Sequence, residues 1–233
     1  MYTDNATAWS RPLSRLLYRI HMPELTFNNL SEDRKKEILN VSFEEFALSD
    51  YESASLANII KKLDIAKGSF YRYFKNKSDL YFYLSQFADA QVAINFSRHF
   101  DNSGGDFFQD WTNFIMSLSG IEETYPMLLR FRFRAAFEQS REVTSIQNKE
   151  KRQDRTRIIS NMIRTYQEKG MVSKEIDLDF LSLLMVFYNF AISEYINLKY
   201  EIPENSPIYP VNKTSYMQDI VKCIDMIKRG VKA

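Results

Sequence analysis

Turn-forming residues are scarce in this chain: 233 residues contain only 6 Gly and 6 Pro. A β-sandwich or barrel needs a turn signal roughly every 8 to 12 residues, so a mostly helical fold is expected instead. Cysteine is nearly absent. A single one, Cys223, excludes a disulfide framework within one chain and suits a reducing cytoplasm. Histidine is nearly absent too, and neither His21 nor His99 has a partner at metal-ligand spacing, so no metal site and no Cys/His dyad is expected. The sequence carries no Gly-rich phosphate loop and no G-x-S-x-G elbow, and Gly104-Gly105 opens neither. The expectation is a protein that is not an enzyme and has no cofactor. There is no excess of one charge: 31 basic against 30 acidic residues leave net +1, so any affinity for nucleic acid must come from a local patch. The longest apolar stretch, Phe180 to Ser193, contains Asn189 and stops at Glu194. That is short of the roughly 20 residues a bilayer requires, and the reading is a buried helix and no membrane partner. Arg15 and Arg19 interrupt Leu13, Leu16, Leu17 and Ile20, so no secretory signal is present.

What the chain does have is apolar content, 45% of residues, enough for one full core or two small ones. Residues 1–30 form a leader broken by Pro12 and Pro23, in which Arg11, Arg15 and Arg19 recur at i+4 beside an apolar face. Three readings stand for it: an upstream translation artefact with the natural start at Met22, a helix packed on the body, or an arm reaching nucleic acid or an anionic membrane. From Ser31 the helical pattern is clear, with Glu32 and Asp33 suited to a helix N-terminus and Ile38, Val41, Phe46 and Ala47 forming a stripe. Ser55 is a good N-cap for a short helix through Leu63, and after a brief turn comes a second short helix, Lys67 to Phe74. Asn76 and Asp79 cap a long helix to about Arg98. Further helices are expected near 107–118, from Pro126 to about Glu138, from Thr156 to Lys169 with Gly170 closing it, over 177–199, and from Thr214 to Arg229 closed by Gly230. Residues 141–155, charged and rich in Gln and Asn, read as a loop or a solvated helix start.

Two short helices joined by a tight turn, with one helix before them and a long one after, form a helix-turn-helix unit. Between Ser55 and Lys77 stand Lys61, Lys62, Lys67, Arg72, Lys75 and Lys77 against Asp64 alone. A near-neutral protein has gathered its positive charge on one small unit, whose second helix would present its N-terminal residues to the major groove.

The segment Ser55-Leu56-Ala57-Asn58-Ile59-Ile60, followed by the run from Ile65 through Lys67-Gly68-Ser69-Phe70-Tyr71-Arg72-Tyr73-Phe74 to Leu80, resembles the TetR family of bacterial transcriptional regulators. The resemblance covers about Ser31 to Leu84; beyond it only the helical layout is similar. It implies an all-α protein with a DNA-binding domain over 31–77 after an extension over 1–30, joined by the long helix to a regulatory and dimerisation domain over 78–233. It also implies roles for eight residues. Ser55 would cap the first helix and touch phosphate, and Lys67, Gly68 and Ser69 would enter the groove. Tyr71 and Tyr73 would hold the DNA backbone with Arg72 beside them, and Lys77 would meet a phosphate. Tyr73 also reads as a plain core aromatic, and Lys61, Lys62 and Lys75 as a solvated face. Two positions depart from the pattern. Asp64 stands where the family usually has Gly, and Ala66 replaces the usual Ser/Thr cap.

The helix over 177–199 is apolar on both sides, which calls for cover on both. A second copy is the economical cover, and the resemblance implies a homodimer through a four-helix bundle built from the 156–169 or 177–199 helix with the C-terminal one. With 18 Phe, 14 Tyr and 9 Met, the second domain could line a cavity for a small-molecule effector. The candidates are Phe87, Trp111, Phe114, Phe131, Met162, Tyr166 and Phe187, with Phe96, Met116 and Phe137 beside them, although each also reads as plain core. One inward-facing member of Arg130, Arg132 and Arg134 would suit an anionic effector. The resulting expectation is a cytoplasmic, ligand-responsive regulator, a repressor, that binds a palindromic double-stranded DNA operator as a homodimer. The alternative is a helical ligand-binding or interaction protein that binds no operator.

Overall fold

The computed structural model describes residues 25–100, 105–146, 149–209 and 214–231, and these residues form helices joined by turns, with no strand among them. In chain order the helices are α1 Leu25–Asn28, α2 Glu32–Leu48, α3 Leu56–Lys62, α4 Lys67–Tyr71, α5 Lys77–Phe100, α6 Phe107–Thr124, α7 Leu128–Phe137, α8 Arg141–Ile146, α9 Lys149–Glu168, α10 Leu178–Lys199 and α11 Thr214–Val231. The all-α expectation and the helix-turn-helix followed by a long helix are both met. The proposed leader helix and the start at Met22 lie outside the described residues.

Side-chain caps start several of these helices where the sequence places them. Ser31 accepts from Arg34 N, Asp106 from Phe108 N and Gln109 N, and Asp177 from Phe180 N. Gly170 takes φ +73 just past α9, the left-handed closure expected of it. The charged stretch 141–155, read as a loop or a solvated helix start, is helical over α8 and the first turns of α9. Two boundaries differ from expectation. Gly230 does not end α11, which continues to Val231. At the other end, Phe27 of the assumed extension is 1% exposed and packs on Phe74 at 5.1 Å and Tyr83 at 5.5 Å, so the helix-turn-helix core begins before Ser31.

One aromatic core joins the two halves. Phe43 and Phe46 of α2, Tyr81 of α5 and Phe131 of α7 are buried together with ring separations from 5.2 to 6.3 Å. α10 lies against α9 and α11. Its polar residues are satisfied inside the body: Trp111 Nε1 donates to Asn189 Oδ1 at 2.8 Å, and Ser182 bonds Ser160 at 2.9 Å. At 22 residues α10 is long and apolar enough to cross a membrane, by length and composition, which the 180–193 run alone did not suggest. These inward polar bonds are those of a helix packed on protein.

A buried carboxyl and a guanidinium grip the connection between α10 and α11. Buried Glu122 of α6 accepts from Ile208 N at 2.9 Å and Tyr209 N at 2.7 Å, while Arg130 of α7 donates to the Ser206 and Pro203 carbonyls and to Asn197 Oδ1. Arg132 pairs with Asp89, and Arg134 donates to the Ala47 carbonyl. All three arginines are therefore held by the protein itself, and the suggestion of an anionic effector loses its basis.

Burial pushes the Glu122 carboxyl up to about 7, against the pull of the two backbone N–H groups. The folded protein thus holds this proton more tightly than the unfolded chain does. Glu122 contributes stability that is complete below about pH 4.5 and lost as the pH rises through 7. Relative to Glu122→Gln, wild-type unfolding free energy should fall by roughly 2 to 3 kcal/mol between pH 5 and pH 8. Denaturant unfolding of both proteins checks this; a pH-independent difference would refute it.

Candidate nucleic-acid interface

Helix α3 begins where Ser55 Oγ accepts from Asn58 N at 3.4 Å, the capping role expected of Ser55. Its orientation is set from beneath by Glu45 of α2, 8% exposed, whose Oε1 accepts from Ser55 N at 2.9 Å and from Asn58 Nδ2 at 3.2 Å. α3 closes in a Schellman arrangement. Ile65 N donates to Ile60 O at 3.4 Å and Asp64 N to Lys61 O at 3.2 Å, with Asp64 at φ +49. Asp tolerates this left-handed region better than most non-glycine residues, so its place in the turn is accommodated.

α4 has no side-chain cap: Ala66 makes none, and Ser69 N and Phe70 N donate to its carbonyl at 2.9 and 3.3 Å. What holds so short a helix is the pair beneath it. Phe70 and Phe74 are fully buried 5.9 Å apart, and the Thr26 hydroxyl ties down the Arg72 carbonyl. The outer side of α4 then carries Lys67, Gly68, Tyr71 and Arg72, all exposed. Lys67 lies 5.9 Å over the Tyr71 ring. Ser69 is half-buried, as is Tyr73, whose ring meets Phe27 edge-on at 6.2 Å. Between α3 and α4 runs a groove of about 330 Å³ with an apolar floor of Leu56, Ala57, Ile60 and Ile65 and a rim that includes Lys61, Asp64, Lys67 and Tyr71.

Lys77 departs from its expected role. Its Nζ donates to the carbonyls of Tyr51 at 2.8 Å, Glu52 at 3.1 Å and Ala54 at 3.2 Å, and sits 4.6 Å over the Tyr51 ring. An ammonium has three donors, and here all three are engaged, so Lys77 is a clamp on the turn before α3 and has no donor left for phosphate. The sequence reading missed Glu45 and Tyr51 altogether. Tyr51 N donates to Glu138 Oε2 at 2.9 Å, just past the end of α7, and its phenol is pushed well above the usual range by burial and by Glu142. The polar flanks of Tyr51, Ser49-Asp50 and Glu52-Ser53, read as a surface turn and gave no signal that its ring is a buried junction.

The seven aromatic and Met positions proposed for an effector fall into three places. Trp111, Phe114, Met162 and Tyr166 are buried, and the three rings gather around Phe100 and Phe107, which the sequence reading did not name; Tyr166 also donates to Asp110 at 2.7 Å. Phe87 and Phe131 belong instead to the junction with α2, each in ring contact with Phe43. Phe187 lies on the outer side of α10, 50% exposed, because its turn of α10 faces away from α6 and α9.

Residues 38–84 match the sequence profile described as bacterial regulatory proteins of the tetR family. No curated protein sequence matches the chain. Three solved structures show the likeness of fold. A TetR-family transcriptional regulator from Chloroflexus aurantiacus J-10-FL is 22% identical, with a TM-score of 0.60 over 91% of this chain and 99% of its own. Salmonella enterica GusR is 14% identical, with a TM-score of 0.61 over 88% and 100%. A gamma-butyrolactone receptor described as ArpA-like is 16% identical, with a TM-score of 0.57 over 86% and 98%.

A Cβ placed on Gly68 would meet no protein atom within 4 Å. Nothing inside the protein requires glycine there, and glycine in a helix costs about 1 kcal/mol relative to alanine. Gly68→Ala should therefore raise the unfolding free energy by roughly 0.5 to 1 kcal/mol while weakening DNA binding. Thermal unfolding and gel shift on one preparation check the pair of outcomes; unchanged DNA affinity would remove Gly68 from the interface.

Proposed function

Starting from a helix-turn-helix segment that matches the tetR family of bacterial regulatory proteins over residues 38–84, we propose that this protein is a cytoplasmic, ligand-responsive repressor that binds a palindromic operator as a homodimer. The observation that carries the reading is the outer side of α4, where Lys67, Gly68, Tyr71 and Arg72 are exposed on a helix anchored by Phe70 and Phe74. A bare backbone at Gly68 lets DNA approach closely, Lys67 and Ser69 supply donors for base edges, and Arg72, Tyr71 and Tyr73 serve the phosphates. Ser55, at the start of α3, adds a phosphate contact. The rival reading, a helical protein without an operator, drew on Asp64 and Ala66. Asp64 closes a Schellman turn and buried rings hold α4, so neither residue supports it.

Assembly as a dimer is supported by α10. Phe180, Leu183, Phe187, Ala191, Tyr195 and Leu198 line its exposed outer side, with Phe180 at 64% and Leu198 at 72% and exposed Glu194 between Ala191 and Leu198. A largely apolar stripe of this kind marks an interaction face. Two copies joined there would carry two reading heads, for half-sites about 34 Å apart or a multiple of that. For the effector we propose the buried cluster of Trp111, Phe114, Met162 and Tyr166, with Asp110, which accepts from Tyr166, as the polar member. No catalytic chemistry and no cofactor enter this reading.

Selection of bound fragments from the source genome followed by gel shift tests the proposal; failure to enrich a two-fold-symmetric sequence would refute it. Arg72→Ala should lower the salt slope of binding by about one unit and Lys67→Ala should alter sequence preference, whereas Lys77→Ala should leave the slope unchanged and destabilise the fold by roughly 2 to 3 kcal/mol. Leu183→Glu should yield monomer, read by sedimentation velocity, since a carboxylate cannot be buried unpaired in the seam.

A further inference from the structure

The groove between α3 and α4 is chemically unlike the face it opens on. Lys67 and Tyr71 form its α4 wall and belong at the same time to the exposed outer side of that helix, so the groove opens where the helix-turn-helix would meet DNA. Its floor is Leu56, Ala57 and Ile60 of α3 with Ile65 of the turn, and none of these side chains carries a donor or an acceptor. The first polar side chain of α3, Asn58, is engaged within the protein: its Nδ2 donates to Glu45 Oε1 at 3.2 Å. Lys62, at the end of the helix, pairs with Glu44 at 3.2 Å. Along this side α3 therefore offers an apolar strip, with the ammonium groups of Lys61 and Lys67 at its margins.

We propose that this groove reads a thymine by its 5-methyl group, beside the base edge that Lys67 reaches. This rests on the operator reading above and names one base preference within it. The cations at the margin suit a polyanion, which brings a base edge rather than a free apolar molecule to the floor. Among the groups that base pairs present in the major groove, the N7, O6 and O4 acceptors and the N4 and N6 amines are polar, and the thymine methyl alone is apolar. A polar edge pressed on Leu56, Ala57 and Ile60 loses water and finds no partner there, whereas a methyl group gains by leaving water. The floor thus favours thymine at one position without making a hydrogen bond. Lys67 supplies the polar part of the readout, since an ammonium donates well to the O6 and N7 of guanine.

The test uses the full chain and a fragment selected from the source genome, with affinity read by fluorescence anisotropy. Each thymine of the fragment is replaced in turn by deoxyuridine, which removes the 5-methyl group and leaves base pairing intact. One thymine in each half-site should cost about three- to tenfold in affinity when its methyl is removed. In the double variant Ala57→Ser with Ile60→Thr, which puts hydroxyls on the floor at nearly unchanged size, that cost should shrink to less than about twofold. Circular dichroism and thermal unfolding check that the variant is folded, and the uracil scan on the wild-type protein decides the matter without it. If the wild type binds its selected sequence and tolerates uracil at every position, the floor reads no methyl, and the proposal is overturned with the operator reading intact. A cost that persists undiminished in the folded double variant puts the methyl against other residues and overturns the proposal too. If no sequence is selected at all, the operator reading falls and this one falls with it.

Discussion

Between α2 and α3 the chain crosses a stretch without regular structure, and the carbonyls of Tyr51, Glu52 and Ala54 in it converge on the ammonium of Lys77. The direction in which α3 and α4 point depends on this convergence. Losing the donor leaves the part-buried Tyr51 and Ala54 carbonyls unmatched, whereas the exposed Glu52 carbonyl can turn to water. Tyr51 is held from the other side as well, its N–H by Glu138 and its ring by the stacked Phe46 and the edge of Tyr81. Glu45 then fixes the next turn of chain by accepting from Ser55. The first helix of the reading head is thus aimed by half-buried Lys77 and Glu138 and buried Glu45, whose polar groups are turned onto the protein's own backbone.

The α7 segment stands at the meeting of these holds. At one end Arg130 grips the connection between α10 and α11; one turn on, Arg134 holds the C-terminal carbonyl of α2, and Glu138 follows directly after the last residue of the helix. From Arg130 to Glu138 an α-helix rises about 12 Å. The α10–α11 connection and the helix-turn-helix are therefore separated by one short rigid element with polar anchors at both ends and Phe131 buried at its middle.

Much of this was legible in the sequence because it follows from periodicity and capping. Ser55, Asn76, Gly170 and the buried Phe70 and Phe74 announce themselves through spacing alone, and the basic run between Lys61 and Lys77 marks the reading head. Other features were hidden for definite reasons. Lys77 looks like one more surface cation until the fold brings the turn after α2 over it, some 25 positions earlier in the chain. Glu45 sits at a helical position that reads as solvated, and only tertiary contact shows it accepting from α3. Phe187 fits the apolar pattern of a core helix equally well on the inner or outer side, since α10 is apolar around most of its circumference; the pattern cannot say which side the rest of the chain covers. The arginines of α7 needed the loop around Ser206 and the end of α2 to reveal their partners.

The turn between α3 and α4 has a further consequence through its charge. Asp64 places a carboxylate at the rim of the groove that Lys61 and Lys67 share, where glycine would place none. Sequence-blind attraction to DNA comes from cations near phosphates, so a lone anion in their midst lowers residence on random sequence while hydrogen bonds to base edges are untouched. A protein searching a chromosome for one site would spend less time held at the wrong ones, a gain that comes with the conformational cost of a non-glycine residue at φ +49.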